Sequence, residues 1–455
     1  MKKNEVSKNG RLSLRTRLGF GVGDFGANLV FQSTLIFLIF YFTDVFGIAA
    51  PIAGTIFLVA KAWDAVCDPV VGYCSDRTRT RWGKKRPYLL FGAIPLGVFF
   101  FLLFASPPMP PAFKPYYGMI LFLLFCTFYA VVNVPYGALA ASMTQDSHER
   151  SRLSGVRTFF ALMGALVVAG SMKPLVALFP NQVIGFRMTA AIFGVVAVAV
   201  TYVTFFSVRE VVEERDTEHY KLTDIMKTIF GNGPFLIVSL GTILHLAALG
   251  ILAAMVNYYF KYNMGREAFA TVAFLCIFVP AALALPLWVA VSNKLSKKAA
   301  FNMGMGLLAV ALVIVYFIRD FNPVLIIVAF CLGGIGISTS FLSPWAMVPD
   351  TVEYGELKTG LRREGILYGT SFFGQKLASA LAGFIAGQGL GIIGFEANKI
   401  QSPEVLEGIR VLMIFAPIVL IVAGIIVISF YPISEKMHRD IVDKLQKGRE
   451  GSAAS

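Results

Sequence analysis

An all-α polytopic membrane protein, twelve spans in two six-helix halves, is the fold class this sequence predicts. Three observations predict it. The 455 residues are 56% hydrophobic and only 15% charged, with a mean hydropathy of +0.70, whereas a soluble domain carries about 25% charge. Apolar runs of roughly 20 residues, the length that crosses a bilayer, recur along the whole chain. The basic residues crowd into short loops between those runs, as the preference for positive charge on the cytoplasmic side requires. The formal net charge of +13 is therefore a topology signal and does not point to nucleic acid.

The segment 1–17 is basic, so the N-terminus is expected in the cytoplasm. No cleavable signal peptide is expected, and the first span, 18–43, serves as the insertion signal. In it Asp24, Asn28 and Gln32 recur every four residues, a polar stripe that should face the protein interior. The second span, 51–73, contains Lys61-Ala-Trp-Asp-Ala-Val-Cys-Asp-Pro69. Asp64 and Asp68 share one helix face, with Cβ atoms roughly 5–6 Å apart, and Lys61 points the same way. A carboxylate at bilayer depth costs about 2.5–3.5 kcal/mol, and such residues mark ion or substrate paths. A mobile cation bound by Asp64 and Asp68 is the functional reading. A fixed ion pair with Lys61 is the structural one.

The loop holding Asp76, Arg81 and Arg86 is dense in positive charge and belongs in the cytoplasm. The third span, 87–105, leads to a Pro-rich external loop. The fourth, 116–141, carries Asn133 two residues before Pro135, where the helical ladder loses a donor. A charged loop precedes the fifth span, 156–178, which Arg157 enters; the sixth is 184–206. The polar stretch 208–232 is a cytoplasmic central loop between a bundle at 18–207 and a second at 233–431. Its charges include Glu210, Glu213, Glu214, Arg215, Asp216 and Glu218. Spans at 233–259, 269–291, 300–318, 323–344, 368–393 and 411–431 follow, and the tail 432–455 returns to the cytoplasm. The halves echo each other weakly, as two parallel repeats around a site at their shared midplane would; this is the major facilitator plan. No P-loop, nucleophile elbow or His/Cys cluster appears, so neither enzyme, metal nor cofactor is expected. The five cysteines lie in apolar runs without metal or disulfide spacing.

Several stretches together resemble the glycoside–pentoside–hexuronide:cation symporters of the major facilitator superfamily. They are Gly21-Val-Gly-Asp-Phe-Gly-Ala-Asn28, Tyr41-Phe-Thr-Asp44, Trp63-Asp-Ala-Val-Cys-Asp-Pro69, Arg81-Trp-Gly-Lys-Lys-Arg-Pro87, Asn133-Val-Pro-Tyr136, Asp350-Thr-Val-Glu-Tyr-Gly-Glu356 and Arg362-Arg-Glu-Gly365. The resemblance implies that Asp64 and Asp68 are the cation ligands. It implies that Lys376 lies near both the cation and the sugar, and that Arg157 lies near the sugar. Two sugar-binding aspartates of the melibiose permease fall here on Asn28 and Asn133, which keep hydrogen-bonding capacity without charge. Two neutral oxygens of its sodium site fall on Cys67 and Ala130. A proton needs only a carboxylate, so H⁺ is the favoured coupling ion, with Na⁺ as the alternative. The substrate is a neutral glycoside or oligosaccharide, or an anionic uronide paired with an arginine.

The remaining expectations are specific. Asp24 and Trp345 join the substrate set, Trp345 as a stacking face or an interface anchor. Lys61 and Lys376 are candidate partners of the cation-site acids. Asp76, Arg81, Arg86, Asp350, Glu353, Arg363 and Glu364 are expected as cytoplasmic gate ion pairs between the halves, with simple positive-inside charge as the alternative. His245 is a core or interhelical hydrogen-bonding residue, and Tyr258, Tyr259 and Lys261 are interface-belt residues. The protein is expected as a monomer in a bacterial inner membrane, both termini cytoplasmic. A metabolite or drug exporter of the same superfamily and a non-transporting sugar sensor are the rival functions.

Overall fold

Hydrocarbon offers no partner to a backbone N–H or C=O, so each apolar run closes its hydrogen bonds internally as a helix. The computed structural model shows this for residues 12–144, 146–211 and 222–453, the residues it describes. The charges expected at Lys2, Lys3, Lys8 and Arg11, and those at Glu213, Glu214, Arg215, Asp216 and Glu218, lie outside them.

The helices are α1 (Leu14–Phe40), α2 (Ala50–Arg77), α3 (Arg86–Leu103), α4 (Lys114–Met143), α5 (Ser147–Ala177), α6 (Gln182–Ser207) and the short α7 (Leu222–Phe230). Then come α8 (Gly233–Tyr258), α9 (Phe269–Leu283), α10 (Leu285–Lys294), α11 (Lys297–Phe317), α12 (Pro323–Thr359), α13 (Glu364–Ile392), α14 (Pro403–Ser429) and α15 (Glu435–Ala453). Ten helices among the described residues are long and apolar enough to cross a membrane, and the α9–α10 pair, bent by 46°, makes up to eleven. α13, at 29 residues, is long enough to cross but is not among them, because Gln375, Lys376, Gln388 and its glycines make it less apolar.

Three elements differ from the sequence expectation. The span expected unbroken at 269–291 bends between α9 and α10, where Pro286 in the first turn of α10 cannot continue the ladder. The tenth span continues to Thr359, where Gly360 at φ +70° closes it in the left-handed conformation. Trp345 therefore sits inside a continuous helix, not near its end. The fifth begins at Ser147, capped by Asp146, whose Oδ1 accepts from His148 N at 2.8 Å.

The chain divides into two compact units. The first is Met1–Thr217 with Ala253–Leu275 and Gly383–Ile409; the second is Glu218–Leu252, Cys276–Ala382 and Arg410–Ser455. In the first, α1 packs on α5 and α6, α2 on α4, and α3 on α4 and α6. Small residues let these backbones approach, because lipid supplies no hydrophobic drive and close packing must do the work. A Cβ on Gly26 of α1 would lie 2.4 Å from Val200 Cγ2 of α6. In the second unit, α11 packs along α12.

Candidate functional site

The interior of the first unit is built where α1, α4 and α5 turn polar side chains onto one another. Asp24 of α1 is 7% exposed. Arg157 of α5 donates from Nε to Asp24 Oδ2 at 2.7 Å, and its guanidinium lies 5.1 Å from the Tyr136 ring centroid. Tyr136 is fixed in turn: its hydroxyl donates to Phe20 O at 2.8 Å and its ring stacks on Phe20. Asn28 Nδ2 donates to Asp24 O at 2.9 Å. A small cavity beside this pair is lined by Gly23, Ala27, Tyr129, Asn133, Tyr136 and Thr204. Asn133 Oδ1 is buried there with no hydrogen-bond partner among the described residues. The α4 helix runs unbroken through Pro135, so Asn133 is presented from a regular helix.

The acids of α2 are turned inward. Trp63, Val66, Val70 and Tyr73 form its exposed face, and Lys61, Asp64, Cys67 and Val71 its buried one. Asp64 is 1% exposed, with Lys61 Nζ 3.8 Å from its Oδ2; Asp68 is half-buried. Lys61 also sits over the rings of Phe31 and Phe122, at 4.9 and 5.5 Å. Phe31 stacks on Tyr129 at 5.6 Å, and Tyr129 lies within electrostatic range of Asp24, Asp64, Asp68 and Arg157. Tyr129 thus joins the carboxylates of α2 to the Asp24–Arg157 pair. Beside Cys67, the hydroxyl of Thr127 accepts from Trp63 Nε1 and donates to Leu123 O, both at 2.9 Å. Cys67 Sγ lies 3.9 Å from it.

Residues 19–435 match the family described as MFS/sugar transport protein. The chain belongs to that family. Within it the resemblance to the glycoside–pentoside–hexuronide:cation symporters holds. The uncharacterized symporter YnaJ of Bacillus subtilis is 34% identical over 96% of this chain and 95% of its own length. The glucuronide carrier protein homolog of Escherichia coli is 30% identical over 97% of each. The solved nucleoside transporter NupG superposes with a TM-score of 0.62 at 11% identity, over 91% of this chain and 99% of that one. These relatives are transporters and not enzymes, and the likeness to NupG fixes the major facilitator fold alone.

The other expected residues of this family member fall as follows. In the second unit, Lys376 is half-buried on α13, and Trp345 lies 5.4 Å from the Phe372 ring. Asp350 accepts from Lys297 Nζ at 2.7 and 2.8 Å, with His438 of α15 at 3.4 Å. Glu353 pairs with His438 at 2.6 Å. Arg363 donates to Thr228 Oγ1 of α7 at 2.6 Å, and Glu364 pairs with Arg362 at 3.1 Å. His245 is fully buried, its Nδ1 3.0 Å from Gly241 O of its own helix, so the bond is intrahelical. In the first unit, Asp76 is half-buried, Arg81 stacks on Trp82 at 4.2 Å, and Arg86 Nη2 donates to Phe205 O at 2.8 Å.

Sequence reasoning missed Tyr129 and Thr127. Tyr129 stands one helical turn before Asn133 and shares its face, a spacing that was available as a signal. Tyr258 and Tyr259 were expected in an interface belt and are instead fully buried. Thr43 and Tyr258 share a hydrogen bond of 2.7 Å, 215 residues apart in sequence.

Proposed function

We propose that this protein is a secondary active symporter that couples inward movement of a glycoside, oligosaccharide or uronide to a cation, the proton being favoured. The observation that carries the reading is the buried Asp64, joined through Lys61, Phe31 and Tyr129 to the Asp24–Arg157 pair. A cation that neutralises Asp64 and Asp68 changes the field at Tyr129, and with it the affinity for sugar; the sugar alters cation affinity by the same factor. The sugar lies against Asp24, Asn28, Asn133 and Arg157 in this reading.

The proton is favoured because Cys67 and Ala130 stand where the resemblance places two neutral oxygens of a sodium site, and a proton needs only a carboxylate. Arg157 is charge-balanced by Asp24, which suits a neutral glycoside. A uronide is the second reading, since Asp24 takes Nε and a carboxylate fits the terminal nitrogens of the fork. The glucuronide carrier protein homolog is a relative whose name fits that reading. A bacterial inner membrane with both termini cytoplasmic completes the proposal.

The test is counterflow in proteoliposomes against neutral sugars, pentosides and uronides, followed by uptake under imposed gradients. Sugar accumulation driven by a proton gradient without sodium is the expected result. Accumulation driven by sodium at clamped pH and not by protons overturns the ion assignment. No counterflow with any sugar, from protein inserted in a folded state, overturns the substrate class.

A further inference from the structure

The basic turn between α2 and α3 lies apart from the proposed sugar and cation residues. The segment 76–86 holds six basic residues and one acid, Asp76. Its charges divide by direction. Lys85 is buried and donates from Nζ to Ser142 Oγ at 3.1 Å, and Arg86 Nη2 donates to Phe205 O at 2.8 Å, so both are spent on the fold. Arg77, Arg79 and Arg81 are exposed. Glu210 reaches the turn, but its carboxylate is taken up by the backbone N–H groups of Lys84, Lys85 and Arg86.

The turn that carries the three arginines is held in one shape. Gly83 N donates to Thr80 O at 3.1 Å, and Thr80 Oγ1 donates to Gly83 O at 2.8 Å. Thr78 and Tyr88 share a hydroxyl–hydroxyl bond of 2.8 Å that joins the end of α2 to the start of α3. Two of the guanidiniums rest on rings: Arg77 lies 4.1 Å from the Tyr73 centroid and Arg81 4.2 Å from the Trp82 centroid. Stacking fixes the plane of a guanidinium and leaves its N–H edge to a further acceptor. Trp82 meets Phe91 of α3 edge to face at 5.8 Å. Phe91, Ile94 and Val98 form an exposed stripe down α3 from that point, at spacings of three and four residues. Exposed positive charge, then aromatic rings, then apolar stripe is the order in which a bilayer offers headgroup, interface and acyl chain.

Loop charge that only set topology would need neither the fixed turn nor the stacked planes, because the topology rule counts Lys and Arg without regard to their contacts. We propose that Arg77, Arg79 and Arg81 form a binding site for one anionic phospholipid, with its phosphodiester on the arginines and its acyl chains along Phe91, Ile94 and Val98. A planar fork takes two phosphate oxygens at once, which a lysine cannot do. A lipid fits better than free phosphate because the apolar stripe begins where the charges end, and a soluble anion would leave it unused. The inference goes beyond sugar symport and stands whichever sugar or ion is carried.

The test titrates the full-length protein, freed of lipid in a neutral detergent, with dioleoyl phosphatidylglycerol and counts bound lipid by native mass spectrometry. Dioleoyl phosphatidylcholine and inorganic phosphate are the competitors. Saturable binding that neither competitor displaces is expected. The combined variant Arg77→Gln, Arg79→Gln, Arg81→Gln should bind phosphatidylglycerol roughly a hundred-fold more weakly, the effect of three basic contacts at an anionic headgroup. Lys436→Gln, Lys444→Gln and Lys447→Gln together remove the same charge from exposed positions of α15 and should leave binding at the parent level. Equal loss in both triple variants, or none in either, overturns the site. Displacement by phosphatidylcholine overturns the charge recognition, and displacement by inorganic phosphate overturns the lipid. A second measurement needs no arginine change. Phosphatidylglycerol brominated on its acyl chains should quench tryptophan fluorescence more in the parent than in Trp82→Phe, and equal quenching in the two overturns the placement.

Discussion

Arg157 reaches Asp24 across 133 residues of sequence and donates to it through Nε at 2.7 Å. The two helices that carry them, α1 and α5, are a packed pair. The Asp24 side chain is 10% exposed and the Arg157 side chain 33%. Removing one partner leaves a charge uncompensated, a loss of about 3–5 kcal/mol for a fully buried pair and less here because the arginine is partly hydrated. Asp24→Asn and Arg157→Gln should each lower sugar uptake, by roughly ten- to a hundred-fold. Asp24→Asn with Arg157→Gln should recover protein stability while uptake stays low, since no stranded charge remains. Arg157→Lys should not rescue transport, because a point charge cannot keep Asp24 and also present a planar fork. Uptake rates and detergent melting temperatures for the four variants check this, and full uptake by Asp24→Asn would remove the pair from the site.

Asp64 and Asp68 face a different test. They lie on α2, and Tyr129 feels both them and the Asp24–Arg157 pair. Asp64→Asn or Asp68→Asn should abolish accumulation against a gradient while sugar exchange across the membrane survives. Tyr129→Phe keeps the ring on Phe31 and deletes only the hydroxyl, so it should leave both activities present but weaken their linkage. The measurement is the ratio of gradient-driven to counterflow uptake. Concentrative uptake by both aspartate variants at the parent level would exclude the acids from coupling.

Much of this was written in local spacing. The four-residue interval of Asp64 and Asp68 announced one helix face, on which Asp64 is buried and Asp68 half-buried. The stripe of Asp24 and Asn28 announced the inner side of α1. What spacing cannot encode is who meets whom across the bundle. Asp24 could pair with any cation that packing brought near, and packing chose Arg157. Asp44 sits in a short motif that marks the family, but its partners Lys261, Tyr262 and Asn398 are more than 200 residues away. Lys261 next to aromatic residues at a span end reads as an interface anchor until the fold closes over it. The bend between α9 and α10 was legible in Pro286; the extra turns of α12 were not, because Pro344 and Pro349 suggest a stop that the helix passes through.

Glu210 offers a stability prediction free of the transport chemistry. Its carboxylate accepts from Lys84 N at 2.9 Å, Lys85 N at 2.8 Å and Arg86 N at 3.0 Å, the unsatisfied donors at the start of α3. An anion there also meets the positive end of the helix dipole. Gly83 permits the approach: its φ is +109°, and a Cβ on it would lie 2.5 Å from Glu210 Oε1. Glu210→Ala should cost about 1–2 kcal/mol, and Gly83→Ala should cost at least as much through strain and displacement together. Both should lower the melting temperature in detergent and leave the sugar specificity unchanged.

Gly54 and Gly387 bring two helix backbones close together at the end of the first unit where Asp44 lies. A Cβ on Gly54 would stand 2.9 Å from Gly387 Cα, and one on Gly387 would stand 2.5 Å from Gly54 Cα. Neither has a flexible tip to yield, so a side chain must push the start of α2 from the end of α13. Gln388 Nε2, which donates to Pro51 O at 3.0 Å, would lose its partner in the process. Overpacking of this kind costs about 1–3 kcal/mol. The cost falls on the closed arrangement, so Gly387→Val should act as a wedge and not as a general destabiliser. Uptake by Gly387→Val should fall, and uptake by Gly387→Ala should fall less. A Gly387→Val protein that transports at the parent rate would show that α2 and α13 need not close to this distance during the cycle.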